Sequence, residues 1–324
     1  MPESCQICGN EQNNRTHTAR EMMFGTLDEF TYLECGLCGT VQLIDIPDLA
    51  RYYPAEYYSF NNELIEIEAS LRRRIAARFI GKYLVSGKSP IGKRFAAMRP
   101  ELTRLFPTSL LDTVPRLSLD TRILDFGCGG GELLRTLSAF GFRSLTGADA
   151  FIAENKMFPG NVKIYKAGLA DLEPSFDLIM LHHSFEHLPD PYESLKEIKR
   201  LLADDGTCLI RIPLADYAWE KYGVSWVQLD PPRHLYLFTE KSFRQLAENA
   251  GFEVVKVVYD STSFQFSASE QYLMDIPMND PRSFAGESET SIFTQEQIDD
   301  WEAEAARLNS EGRGDQACFY LKKR

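Results

Sequence analysis

An α/β fold built on a doubly wound, largely parallel sheet is predicted by three observations. From about residue 116 to the C-terminus, apolar runs of strand length alternate with helical patterns. The first run, "RILDF", drops at once into a glycine cluster and then into "ELLRTLSAF", which has helical spacing. The first two runs each carry an acid at the carboxyl end, Asp125 and Asp149.

Seven strands follow from the runs "RILDF", "SLTGAD", "VKIYKA", "FDLIMLH", "TCLIRIP", "FEVVKVVY" and "ACFYLKK". The chain has 324 residues, 44% hydrophobic and 25% charged, which suits one large globular domain with a smaller attachment. No segment approaches the eighteen apolar residues of a membrane span, and "MPESCQICGN" lacks the regions of a signal peptide. A soluble, cytoplasmic protein is the expectation. The net charge of −12 argues against a general nucleic-acid-binding surface, so no nucleic-acid partner is expected.

Of seven cysteines, Cys5, Cys8, Cys35 and Cys38 form two C-x-x-C pairs, each followed by glycine. Four such thiolates can hold structural Zn²⁺ tetrahedrally, and the glycines permit the tight turns that aim N–H groups at sulfur. The gap between pairs exceeds that of the usual zinc ribbon, so an extra turn or hairpin must fit inside it. Alternation in "FTYLEC" and "TVQLIDI" suits the ribbon's short strands. Four unligated thiols or a redox pair are the alternatives. A module of this size buries little core, and zinc would replace the missing stabilisation. The expected division is a zinc-ribbon module at 1–46, a helical linker at 47–115 and the large domain at 116–324.

In the linker, "RYYPAEYYSF" precedes a stripe of Leu64, Ile67, Leu71, Ile75 and Phe79, which predicts an amphipathic helix. Its tyrosines pack the linker or close over a substrate. Between Arg72 and Arg104 stand many basic residues and a single acid, Glu101, against the grain of the acidic chain. This patch, within residues 63–104, could meet a phosphate-bearing substrate or an anionic membrane at its inner face. A solvated helix face packed on the large domain explains it equally.

Gly127, Gly129 and Gly131 give G-x-G-x-G, and the third glycine of a dinucleotide pattern would have to fall on Glu132. That pattern therefore fails. Carboxylates at the turn would repel a pyrophosphate but suit a ligand with an ammonium and a sulfonium, which is S-adenosylmethionine. Asp149, at the tip of the second strand, can accept both ribose hydroxyls.

At these residues the sequence resembles the class I S-adenosylmethionine-dependent methyltransferases, over roughly 116–324. "ILDFGCGGGELL" looks like their first motif, and "FDLIMLHHSFEHLPDPYESLKEIKRLLADDGTCLIRIP" like their fourth strand, helix and fifth strand. "HSFEHLPDP" and "PPRHLYLFTEKSFRQLAENAGFEVV", behind two cysteine pairs, most resemble the zinc-ribbon methyltransferases of sugar and polysaccharide biosynthesis. The resemblance implies a Rossmann-like seven-stranded sheet whose last strand is antiparallel. It also implies that Asp125, Gly127, Gly129 and Gly131 lie along the methionine part of the cofactor. Asp149 would hold the ribose. Asp171 would accept from the adenine amine, or Leu169 and Ala170 would supply backbone contacts there.

Methyl transfer leaves the enzyme to position the acceptor and remove a proton. His182, His183 and His187 follow the fourth strand beside Glu186, and His234 stands in "PPRHLYLF". Histidine suits a general base near neutral pH, and a carboxylate can fix its tautomer. In related sugar methyltransferases the "E-H" pair carries this role, so the resemblance assigns it to Glu186 and His187, with His183 and His234 as further candidates. Glu186 with histidines could instead bind a divalent ion, as in some quinone methyltransferases. An insertion at about 261–314 contains "TQEQIDDWEAEAARLN", a helix with Thr294 and Gln297 as a capping box. It forms a lid or a subunit contact. The leading expectation is transfer to a small-molecule or glycan acceptor, a sugar on a nucleotide or lipid carrier. Quinone or lipid-metabolite methylation, and an inactive cofactor-binding scaffold, are the alternatives.

Overall fold

The computed structural model describes residues 4–53, 67, 70–112, 117–284 and 292–324. Three antiparallel strands come first: β1 (Arg15–Arg20), β2 (Glu29–Glu34) and β3 (Val41–Leu43). The extra hairpin required by the long cysteine spacing is β1 with β2. The small sheet is then completed by β10 (Tyr236–Leu237), a strand from the large domain that pairs antiparallel with β3.

The main sheet contains β4 (Arg122–Phe126), β5 (Ser144–Ala148), β6 (Lys156–Phe158), β7 (Val162–Tyr165), β8 (Phe176–His182), β9 (Leu202–Pro213), β11 (Phe252–Tyr259) and β12 (Gln316–Lys323). Their order is β11-β12-β9-β8-β4-β5-β7-β6. The central strands are parallel, and β12 lies antiparallel between β9 and β11. All seven expected strands are present, but among the described residues the sheet has eight. The additional strand, β6, turns at Pro159 and Gly160 and pairs antiparallel with β7, covering its open edge.

Both faces of the central strands are covered, which is why they read as continuous apolar runs. Along β8, Leu178 and Met180 enter one core while Ile179 and Leu181 enter the other. The core that takes Ile179 and Leu181 also takes in Tyr32, Val41 and Leu43 of the small sheet, so hydrophobic packing continues from the cysteine-bearing unit into the main sheet.

Helix α1 (Leu71–Ser86) begins at Ser70, whose hydroxyl accepts from Arg73 N, and α2 (Pro90–Met98) packs beside it. The expected apolar stripe is corrected by the structure. Leu71 and Ile75 are exposed, and α1 buries Ala76, Ala77, Ile80 and Gly81 instead. The reason is distance: at Gly81 the helix comes so near α3 (Glu132–Phe140) that a Cβ would stand 2.1 Å from the Phe140 carbonyl oxygen. Small residues permit that approach; a leucine stripe would not. Leu64 and the tyrosine-rich stretch beyond Tyr53 lie outside the described residues. Among the described residues, no helix is long and apolar enough to cross a membrane.

In the insertion, α4 (Phe264–Leu273) and α5 (Gln295–Ser310) are helical. Thr294 Oγ1 accepts from Gln297 N at 3.2 Å, and Gln297 Oε1 accepts from Thr294 N at 2.9 Å. Gly81→Ala should destabilise the fold by about 1–3 kcal/mol through overpacking against backbone, despite alanine's better helix propensity. Urea unfolding midpoints of the two proteins check this.

Candidate functional site

The glycine turn sits where β4 ends. Gly127, Gly129 and Gly131 all have positive φ (75°, 51° and 80°), a region that excludes most side chains. Space is also short: a Cβ on Gly127 would lie 2.3 Å from Ser184 Cβ, and one on Gly131 would lie 2.1 Å from Ile164 Cδ1. The Asp149 carboxylate ties the turn together, accepting from Gly129 N at 3.0 Å and from Phe151 N at 2.8 Å. An ionised carboxylate has about four acceptor positions, so two remain for hydroxyls. Asp125 is buried beneath the turn, and burial together with the charge of Asp149 raises its pKa to about 7. Two acids and no base at this turn suit a cationic ligand such as S-adenosylmethionine.

The other three expected cofactor residues lie on a 3-10 turn, Leu169–Asp171. The Asp171 carboxylate accepts from Gly168 N at 2.9 Å and so closes its own turn. Leu169 is buried and its carbonyl accepts from Arg200 Nη2 at 3.2 Å, whereas Ala170 is exposed.

Beyond the end of β8, three histidines meet in a pocket of about 340 Å³ lined by Met23, His183, His187, Gln228, Asp230, His234 and Phe264 among others. Each ring is held differently. His183 has φ 50°, a left-handed conformation that turns it back to Arg211. Its Nε2 lies 2.8 Å from Arg211 Nη1, and since a guanidinium only donates, this nitrogen accepts and Nδ1 carries the proton. Arg211 is in turn held by Asp260 at 2.7 Å. His183 is therefore occupied as an acceptor.

His234 Nδ1 lies 2.7 Å from the Gln228 carbonyl oxygen and donates to it. Burial, and then the proximity of His187, lowers its pKa to about 4, so this ring is neutral near pH 7. His187 Nδ1 lies 2.7 Å from the Arg233 carbonyl oxygen, which makes Nδ1 the donor and leaves Nε2 as the basic nitrogen. The Tyr53 hydroxyl is 3.1 Å from the same Nδ1, and the Tyr53 ring stacks on Phe151, two residues past Asp149. Tyr53 thus bridges the glycine turn and the histidine pocket. His182, by contrast, is kept neutral by burial and by Arg211, with its pKa lowered to about 3.

Glu186 is fully buried, and neither carboxylate oxygen has a hydrogen bond. Its nearest neighbours are His183 Nδ1 at 3.5 Å and His234 Nε2 at 3.8 Å. Burial pushes its pKa up, but the contacts with the surrounding histidines, His183 first, outweigh it and hold the group ionised. Ligand atoms of Glu186, His187 and His234 lie within 4.8 Å of one another.

The four paired cysteines also converge, all sulfurs lying within 4.8 Å of one another. Cys5 and Cys38 are 3.7 Å apart, and Cys8 and Cys35 are 3.5 Å apart. Tetrahedral sulfurs about 2.3 Å from Zn²⁺ stand about 3.8 Å apart, so the cluster fits the ion. Gly9 N and Gly39 N close the two turns on Cys5 and Cys35, and Leu37 N and Cys38 N point at Cys35 Sγ at 3.4 Å. Cys128, Cys208 and Cys318 stand apart from this cluster.

Several residues of this site escaped the sequence. Arg233 is wholly buried, yet it forms ion pairs with Asp230 and with Glu21, the latter at 2.8 Å. Glu21 and Met23 belong to the loop between β1 and β2. The only available signal was an acid next to a methionine pair in "AREMMFGT", which by itself suggests nothing.

A family model described as a methyltransferase domain matches residues 91–257. A ubiquinone biosynthesis O-methyltransferase of Dinoroseobacter shibae is 29% identical over 175 residues, covering 47% of this chain and 69% of that protein. The corresponding protein of Neisseria meningitidis is 28% identical over 99 residues, covering 26% of this chain and 41% of its own. Among solved structures, the complex between the Haloferax volcanii Trm112 methyltransferase activator and a methyltransferase superposes with a TM-score of 0.46 at 16% identity. It covers 75% of this chain and 97% of that one.

The raised pKa of Asp125 makes cofactor binding depend on pH. A cationic cofactor favours the ionised carboxylate, so the dissociation constant for S-adenosylmethionine should fall as pH rises from about 6 to about 8, by up to tenfold per unit below the pKa. Calorimetric titration across that range checks this. Asp125→Asn should bind more weakly and lose the dependence.

Proposed function

Because the chain belongs to the methyltransferase-domain family and is a class I S-adenosylmethionine-dependent methyltransferase, we propose that it methylates a hydroxyl group of a small-molecule acceptor held in the histidine pocket, with His187 as general base. The observation that carries this reading is the His187 ring itself. Its Nδ1–H is pinned by the Arg233 carbonyl, which leaves Nε2 basic, and the residue lines the pocket.

When bound, S-adenosylmethionine supplies a methyl group on a positively charged sulfur, with a neutral thioether as the leaving group. Asp149 accepts from the ribose hydroxyls, and Asp125 compensates the positive charge near the glycine turn. Gly127, Gly129 and Gly131 keep backbone close to the ligand. Asp171, or the backbone at Leu169 and Ala170, serves the adenine end. His187 would take the proton of the acceptor hydroxyl at Nε2, leaving the oxygen free to receive the methyl group. Glu186, ionised and unpaired in the same enclosure, stabilises the resulting imidazolium. His234 stays neutral and packs its ring against His187 at 4.7 Å between centroids.

A phenolic hydroxyl of the quinone-precursor class is the acceptor favoured by the relatives, both named for ubiquinone biosynthesis. A sugar hydroxyl on a nucleotide or lipid carrier is the second acceptor, supported by the "HSFEHLPDP" motif behind a four-cysteine cluster. Asp230 lines this pocket and the buried Glu186 lies against its histidines, so a carrier phosphate would rest outside it, and the exposed Arg72 and Arg74 of α1 offer one anionic contact. A divalent cation held by Glu186, His187 and His234 is a second mechanistic reading. What favours it is the buried carboxylate with both oxygens unpaired.

Turnover of catechols and of nucleotide sugars with labelled S-adenosylmethionine separates the two acceptors. Chelation followed by Mg²⁺, Mn²⁺ or Zn²⁺ tests the cation. His187→Gln should lower kcat about 10²- to 10⁴-fold with S-adenosylmethionine affinity kept; unchanged turnover removes His187 as the base. Zinc analysis of the reduced protein should find about one ion per chain, bound by Cys5, Cys8, Cys35 and Cys38. Chelators that strip it should lower the melting temperature.

A further inference from the structure

The segment that carries His234 and whose Arg233 carbonyl meets His187 is gripped from outside the main sheet. Three consecutive residues are involved. The Arg233 guanidinium donates to Glu21 Oε1 at 2.8 Å, the His234 carbonyl accepts from the Tyr32 hydroxyl at 2.9 Å, and the Leu235 carbonyl accepts from Leu43 N at 2.9 Å. Glu21, Tyr32 and Leu43 all belong to the cysteine-bearing unit. Its loop between β1 and β2 then places Met23 in the pocket wall and the Phe24 ring 5.0 Å from the Arg233 guanidinium.

Glu21 organises that loop as well as the arginine. Its Oε1 accepts from Phe24 N at 2.8 Å and its Oε2 from Thr26 N at 3.0 Å, and it is wholly buried. An arginine without exposure requires such partners, since an unpaired guanidinium in this place would be strongly disfavoured. The other end of the same residue, the Arg233 carbonyl, accepts from His187 Nδ1. A backbone carbonyl moves with its residue.

We infer that the β1–β2 loop is a working wall of the acceptor site, in which Glu21 acts as a positioning residue that, through Arg233, holds His187 in its Nδ1–H tautomer. This inference rests on His187 being the base only for its effect on rate. The tautomer itself is independent of that role. The groups facing His187 are Tyr53, Glu186, Asp230 and His234, and none of them offers a second carbonyl to Nδ1.

The decisive experiment needs no acceptor. In full-length protein with ¹⁵N-labelled histidine, the spectrum of His187 should show protonated Nδ1 and unprotonated Nε2. In Glu21→Gln it should shift to a mixture of tautomers, while S-adenosylmethionine affinity stays within about twofold because the glycine turn is untouched. With a catechol as the probe acceptor, the same variant should lose about ten- to a hundredfold in kcat, with a smaller change in KM. A folded, cofactor-binding Glu21→Gln protein whose His187 spectrum matches the wild type overturns the inference. Should that variant fail to fold, Phe24→Ala is measured instead, since it removes the ring beside the guanidinium and leaves every charge in place. An unshifted His187 spectrum there overturns the inference too. If the tautomer shifts but His187→Gln keeps its turnover, the base assignment fails and the positioning role stands.

Discussion

The buried charge of Arg233 is the constraint around which the site is arranged. A guanidinium with no exposure must find carboxylates with suitable geometry, and here Asp230 supplies one from its own turn while Glu21 supplies another from more than two hundred residues away. Satisfying that charge closes the N-terminal unit onto the segment 230–235. The closure explains why β10 completes the small sheet and why one hydrophobic core runs through both parts of the chain. The cysteine cluster then stabilises strands that are themselves part of the pocket's support.

Electrostatics divides the site into two halves. The glycine turn rests on Asp125 and Asp149, an acidic floor for a cationic ligand. The pocket beyond β8 collects three imidazoles: His234 is kept neutral by burial, His183 accepts from Arg211, and His187 donates from Nδ1 and keeps Nε2 basic. Tyr53 touches both halves, stacking on Phe151 and meeting His187. A base placed this way needs its charge compensated after it accepts a proton, and Glu186, buried and unpaired, is positioned for that.

The glycine turn was legible because its requirements are local. Positive φ at Gly127, Gly129 and Gly131, and an acid at each strand end, follow from short stretches whose backbone admits few alternatives. The seven main strands were legible for a related reason: strands covered on both faces are continuous apolar runs. Strand β6 was not, because three residues paired along an edge leave almost no pattern. The buried face of α1 differs from the apolar stripe because the partner surface on α3 demands close approach, and it selects Ala77 and Gly81 over Leu71 and Ile75.

By itself, the sequence determined the cofactor class, the four-cysteine set and the group of histidines near the fourth strand, since each depends on residue types at short spacing. Only the tertiary structure decided the division of labour among those histidines. Which ring nitrogen stays basic depends on a carbonyl from Arg233 for His187 and a guanidinium from Arg211 for His183, both distant in the chain from the rings they orient. The same holds for Glu21 and Met23, ordinary loop residues until folding sets them against a buried arginine and a pocket. Hydrogen-bond direction and burial belong to pairs of groups, and pairs so far apart in sequence exist only once the chain has folded.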